Sequence, residues 1–160
     1  MQFTQSISYP GTVDEVVAMY LTPDYLERRF GQFMVDGSST VSVEDERVSF
    51  AGTVRPELIP AAAARFVKSD LRISFTEEWT TNEAGATSRT SATVDGAPVS
   101  VEATSTLTPT DAGSAREVSG NLSVRVPLLG GRIEKEAVAR VGRLTDNEQA
   151  SAAQWLEEHR

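Results

Sequence analysis

Apolar positions change their spacing three times along the chain, and each change predicts a different element. Phe3, Ile7 and Tyr9 share one parity with Gln5, which reads as a short strand. Pro10-Gly11 ends it, because proline cannot donate to a β-ladder. Thr12-x-x-Glu15 then reads as a capping box. Val13, Val16, Val17, Tyr20 and Leu21 follow at helical spacing until Pro23. Pro23 sits near the start of a second short helix with Tyr25, Leu26, Phe30 and Phe33 on its apolar side.

From Met34 to about residue 126 the period is two. Val41 and Val43 lie on one parity and Val48, Phe50 and Val54 on the other. A hairpin looping through Glu44-Asp45-Glu46-Arg47 resolves the switch by pairing Val43 with Val48 and Val41 with Phe50. Leu58 to Arg65 is a crossing segment whose conformation the pattern leaves open. Loops at Asn82–Gly85, Asp95–Pro98 and around Asp111–Gly113 then bring four consecutive strands onto one inner face. Residues opposite one another form transverse rows on that face. The first row is Ile73, Val94, Val99 and Val124, and the second is Phe75, Ala92, Val101 and Leu122. Glu77, Thr90, Ala103 and Gly120 form the third, and Trp79, Ser88, Ser105 and Val118 the fourth. The opposite face is rich in Ser, Thr, Glu and Arg, as in a half-solvated antiparallel sheet.

Pro127 to Gly131 ends the sheet, and Arg132 to His159 reads as helix. Ile133, Ala137, Val141, Leu144, Ala152 and Trp155 form one buried stripe. Thr145-Asp-Asn-Glu148 offers a second capping box, so a break near Thr145 stands as an alternative to one continuous helix. The pattern therefore predicts one α+β domain over residues 1–160. A long antiparallel sheet is closed by a C-terminal helix, and a cavity is left between them.

Composition narrows the functions this architecture can serve. The 160 residues carry 23 acidic and 15 basic side chains, a net charge of −8, which repels phosphate backbones and anionic lipid surfaces. Nucleic acid is not an expected partner. The absence of cysteine removes disulfides and thiolate chemistry and suits a reducing compartment, so cytoplasm is the expected location. The opening residues alternate rather than forming the apolar run of a signal peptide, and no stretch suggests a membrane span.

Two local stretches add a resemblance. Ile7-Ser-Tyr-Pro10 precedes an acidic amphipathic helix, and Val126-Pro-Leu-Leu-Gly-Gly-Arg-Ile-Glu134 opens the last helix. With the order of one strand, two short helices, a six-strand meander and a long final helix, the chain resembles the helix-grip fold of the START-like superfamily, also called SRPBCC or pollen-allergen-like. Its wording is similar to an actinobacterial family of uncharacterised START-like domains. The resemblance implies a curved sheet of about seven strands and a cavity for lipids, polyketides or other apolar molecules. It implies no single activity.

The third and fourth rows are where side chains shrink and turn polar, and Ala137 opposite is small too. The expected ligand-binding set is Phe75, Glu77, Trp79, Ser88, Thr90, Ala103, Ser105, Val118, Gly120, Leu122, Ala137 and Val141, under the first half of the last helix. If Glu77 faces inward, desolvation is expected to raise its pKa and make it a candidate general acid or ligand anchor. The alternative is a bulge that brings Glu78 in and leaves Glu77 in water. Arg116 has inner-face parity but lies near a hairpin end, and reads as a rim residue. His159, the only histidine, reads as solvated at the end of a terminal helix, so no histidine-based catalytic or metal site is expected and no cofactor is implied. Glu44-Asp45-Glu46 reads as a solvated turn rather than a cation site. Three functions follow in order: binding of a hydrophobic small molecule or lipid; a cyclase, hydratase or lyase using Glu77 with Tyr20 or Tyr25; and a protein-interaction module.

Overall fold

The computed structural model describes residues 1–65, 67 and 69–160. The chain begins with β1 (Gln2–Tyr9), followed by α1 (Val13–Tyr20) and α2 (Pro23–Phe30). The hairpin β2 (Thr40–Glu44) and β3 (Arg47–Thr53) comes next. The crossing segment left open above contains a 3-10 turn at Pro56–Leu58 and a short helix, α3 (Ala61–Ala64). Four long strands, β4 (Arg72–Asn82), β5 (Gly85–Asp95), β6 (Val99–Thr110) and β7 (Gly113–Val124), lead to α4 (Gly130–Glu158).

The strands form one seven-stranded sheet in the order β1-β7-β6-β5-β4-β3-β2, every neighbour antiparallel. The expected registers are present: Val43 opposes Val48, Trp79 opposes Ser88, Ala92 opposes Val101, and Ser105 opposes Val118. The first hairpin is tighter than a four-residue loop. Glu44 pairs with Arg47, leaving Asp45 at φ 54°, a left-handed conformation that aspartate tolerates. The first strand pairs with the last, placing Phe3 opposite Gly120 and Ile7 opposite Arg116.

The Thr12 capping box forms as expected. The Glu15 N–H donates to Thr12 Oγ1 at 3.2 Å, and the Thr12 N–H donates to Glu15 Oε1 at 3.4 Å. Thr12→Ala is expected to cost about 1 kcal/mol, read as a lower urea midpoint with an unchanged slope. The break near Thr145 does not occur, and α4 runs unbroken for 29 residues. Thr145 Oγ1 donates instead to the Val141 carbonyl at 2.9 Å, one turn back, so the hydroxyl is used inside the helix rather than as a cap. Among the described residues no helix is long and apolar enough to cross a membrane.

The core is divided in two. One cluster joins Ile7 and Tyr9 of β1 to Val16, Val17, Met19 and Tyr20 of α1, to Tyr25, Trp79, Ala86 and Leu107, and to Ala152 and Leu156 of α4. The other gathers Leu122, Val124 and Ile133, with Phe3, Val99, Val101 and Ala137 packed around them. The two ends of α4 are thus anchored on separate clusters. Its middle faces a cavity.

Candidate functional site

The cavity measures about 680 Å³ and lies between the concave face of the sheet and the middle of α4. Phe3, Val101, Ala103 and Val118 form its floor, Phe30, Phe33 and Met34 one side, and Val141 and Leu144 the roof. Polar wall residues gather at two places. Arg140 and Arg143 belong to the stretch of α4 beside Leu58, where Arg140 Nη1 donates to the Leu58 carbonyl. Tyr25, Arg29, Thr90, Arg116 and Glu148 belong to the other group.

Behind that second group is a buried network. Glu77 and Arg116 are 1% and 3% exposed, and Arg116 Nη2 donates to Glu77 Oε1. Arg116 reaches the carboxylate by lying over the short side chains of Ser105 and Ser88. Its Nε donates to Ser105 Oγ at 3.0 Å and its Nη2 to Ser88 Oγ at 3.1 Å. Ser88 Oγ donates to Glu77 Oε1 at 2.9 Å, which uses its one proton, so at the 2.6 Å Ser88–Ser105 contact Ser105 is the donor. Arg29, from α2, bridges two carboxylates. Its Nε lies 2.7 Å from Glu148 Oε1 of α4 and its Nη1 lies 3.7 Å from Glu77 Oε2.

Aromatic rings enclose these charges. The Arg116 guanidinium carbon lies 4.9 Å from the Tyr20 ring centre and 4.8 Å from that of Trp79, and the same two rings stack at 5.6 Å. Arg29 lies 4.6 Å from the Phe30 ring centre and 5.0 Å from that of Tyr20. Tyr20 OH donates to Glu148 Oε1 at 2.8 Å, so Tyr9 must donate to Tyr20 in their 2.7 Å contact. Four polar atoms in this region are buried without a hydrogen-bond partner: Tyr25 OH, Arg29 Nη1, Glu77 Oε2 and Trp79 Nε1.

The electrostatics reverse the expectation for Glu77. Burial alone pushes its pKa up, but Arg116, then Arg29, and hydrogen bonds from Ser88 and Arg116 outweigh it and hold the carboxyl below its usual value. Glu77 is therefore ionised at neutral pH, and it is paired rather than poised to donate a proton. Burial raises the pKa of Tyr9, Tyr20 and Tyr25, so all three phenols are neutral. Because Glu77 titrates lower in the folded state than in the unfolded chain, its contribution to stability is complete above roughly pH 4.3 and is lost as pH falls through the folded value. The melting temperature is expected to drop on acidification below about pH 4.3, less steeply in a Glu77→Gln/Arg116→Met double variant. Equal slopes would remove this pair as the acid-sensitive element.

The structure distributes the expected ligand-binding residues over different roles. Thr90, Ala103, Val118 and Val141 are on the cavity wall. Glu77, Trp79, Ser88 and Ser105 form or enclose the buried network. Of the two alternatives for this strand the structure takes the one without a bulge, with Glu77 inward and Glu78 exposed. Phe75 packs on Phe30, and Leu122 and Ala137 belong to the second core cluster. Gly120 opens no space, since the Phe3 ring lies on it and a Cβ there would meet Phe3 Cζ at 2.5 Å. Arg116 is not a rim residue: pairing with Glu77 offsets the cost of its burial. The cavity faces residues 140–151, the middle of α4, and overlaps only the end of its first half, because Ile133 and Ala137 are packed on Leu122 and Val124.

Arg29 and Glu148 were missed, although a signal existed for each. Arg29 lies four residues after Tyr25, on the apolar face of α2, and Glu148 lies seven residues from both Val141 and Trp155 on the buried stripe of α4. Among the described residues no group of three or more His, Asp or Glu side chains is arranged to hold a metal ion.

Comparison with known proteins places this geometry in context. A conserved protein from Geobacillus kaustophilus superimposes with a TM-score of 0.63 at 16% identity, covering 99% of this chain and 96% of its own. The Zhui aromatase/cyclase from Streptomyces sp. R1128 does so with a TM-score of 0.61 at 10% identity, covering 98% and 93%. At these identities the likeness is one of fold. Uncharacterized proteins of Mycobacterium tuberculosis and Mycobacterium bovis, both actinobacterial, are 25% identical over 166 residues, 96% of this chain and 95% of theirs. Residues 4–156 match the family described as "Protein of unknown function (DUF2505)", and the chain belongs to that family.

Proposed function

We propose that this chain is a single START-like (SRPBCC) domain that binds an apolar small molecule or lipid between its sheet and α4. The observation that carries the reading is the cavity itself, about 680 Å³ with mainly apolar walls, in the range that accommodates small-molecule ligands. Small side chains at Ala103 and Thr90 keep the floor low, and the two solid clusters hold α4 away from it. A chain without cysteine suits a reducing compartment, so cytoplasm is the location this reading carries.

The aromatase/cyclase neighbour shares architecture and does not transfer its reaction. The enzymatic alternative built on Glu77 gains no support, because that carboxylate is ionised, paired and behind the cavity wall. The test of the binding reading is native mass spectrometry after incubation with a bacterial lipid extract. One or a few stoichiometric apolar adducts that survive desalting are expected. A spectrum of bare protein under every lipid tried would overturn the reading.

A further inference from the structure

We propose that the Tyr25–Arg29 end of the cavity takes an uncharged oxygen, a hydroxyl or carbonyl on an otherwise apolar ligand, and turns carboxylates away. This deepens the binding reading above and rests on it. The charges here cancel among themselves: Glu77 and Glu148 against Arg29 and Arg116. Both guanidiniums already have carboxylate partners. An incoming carboxylate would share arginines that are committed and would stand near two like charges in a poorly solvated site, where an uncompensated ion is strongly disfavoured. A hydroxyl or carbonyl adds no charge.

Such an oxygen would also find partners. Tyr25 and Arg29 border the cavity; the Tyr25 hydroxyl is buried without a hydrogen bond, and Arg29 Nη1 has only the 3.7 Å approach of Glu77 Oε2. Arg29 Nη1 can only donate. The Tyr25 phenol is neutral, so it can donate to a carbonyl or accept from a hydroxyl. An unpartnered buried hydroxyl such as that of Tyr25 costs about 1–3 kcal/mol, so satisfying it favours a ligand with a terminal oxygen over its hydrocarbon analogue by about tenfold.

The test is displacement of Nile red, a neutral apolar dye, by decanol and by decanoate at about pH 8, where the acid is ionised. Decanol is expected to compete at a concentration at least about tenfold lower. Any apolar cavity disfavours a carboxylate, so the deciding arm is Glu148→Gln. That change removes one carboxylate, loosens Arg29 and leaves a net positive charge. Decanoate should then gain about tenfold or more, while decanol changes by less than about threefold. Should Glu148→Gln fail to fold, Tyr25→Phe decides: decanol weakens several-fold while Nile red affinity is kept. An unchanged ratio of decanoate to decanol in Glu148→Gln, or an unchanged decanol affinity in Tyr25→Phe, would overturn the proposal. Failure of Nile red to bind at all would strike the binding reading itself, which keeps the two failures separable.

Discussion

Arg116→Met is expected to destabilise the fold by about 3–5 kcal/mol, a fall in melting temperature on the order of 10 °C for a chain of this size. The cause is what it leaves behind. Glu77 is 1% exposed, and without Arg116 its carboxylate keeps hydrogen bonds from Ser88 and Thr90 and the longer 3.7 Å approach of Arg29. Adding Glu77→Gln to Arg116→Met should recover a large part of the loss, because the uncompensated charge is then gone. Urea denaturation of the two single variants and the double completes a cycle. Coupling of more than about 1 kcal/mol is expected for residues in direct contact. Simple additivity, or a loss below about 1 kcal/mol for Arg116→Met, would show that the pair does not anchor this side of the cavity.

Ala103→Phe is expected to reduce Nile red affinity by at least about tenfold with little change in melting temperature. Ala103 lies at the middle of β6, opposite Thr90 and Gly120, and its side chain points into the cavity floor. A ring there would occupy space that a ligand needs. It would also bury apolar area of its own, which is why stability should hold or rise slightly. Competition between the ring and the dye is the signature sought. Undiminished binding in a folded Ala103→Phe protein would place the ligand elsewhere on the molecule.

Both expectations depend on features that the sequence revealed unequally. The strand registers were legible because apolar residues at alternate positions can share one face only under one pairing. A slip of a single residue would have turned Trp79, Phe75 and Ile73 to solvent. The transverse rows follow from the same constraint, whereas the spacing alone left a bulge at Glu77 open. The meaning of the polar rows did not. Ser88 and Ser105 read as small residues bordering a void, whereas they are the bed on which the Arg116 side chain lies. A long arginine can span several strands of a curved sheet, and one-dimensional spacing says nothing of where its guanidinium ends. The Arg29–Glu148 contact joins α2 to α4 across 119 residues, so neither residue could be paired from its own helix alone. Helical phase marked both as facing the interior. It took the three-dimensional arrangement to show that two acids and two bases meet there.

That arrangement explains why one region can be both wet in chemistry and dry in surroundings. The network is charged but internally neutral, and Tyr20, Trp79 and Phe30 wall it from solvent. The cavity beside it remains mainly apolar. Stability and the proposed binding are therefore expected to be separable: Arg116 and Glu77 hold the network together, and Ala103, Val118 and Val141 border the space beside it.

The central claim, that an apolar ligand occupies the space between sheet and α4, is tested most directly by locating one. Crystals grown with a fatty alcohol carrying a terminal bromine would reveal the bromine by its anomalous scattering. The account predicts a single strong peak inside the cavity, bounded by Ala103, Val118 and Val141. Bromine found only at the outer surface, or nowhere on the molecule at saturating alcohol, would contradict it.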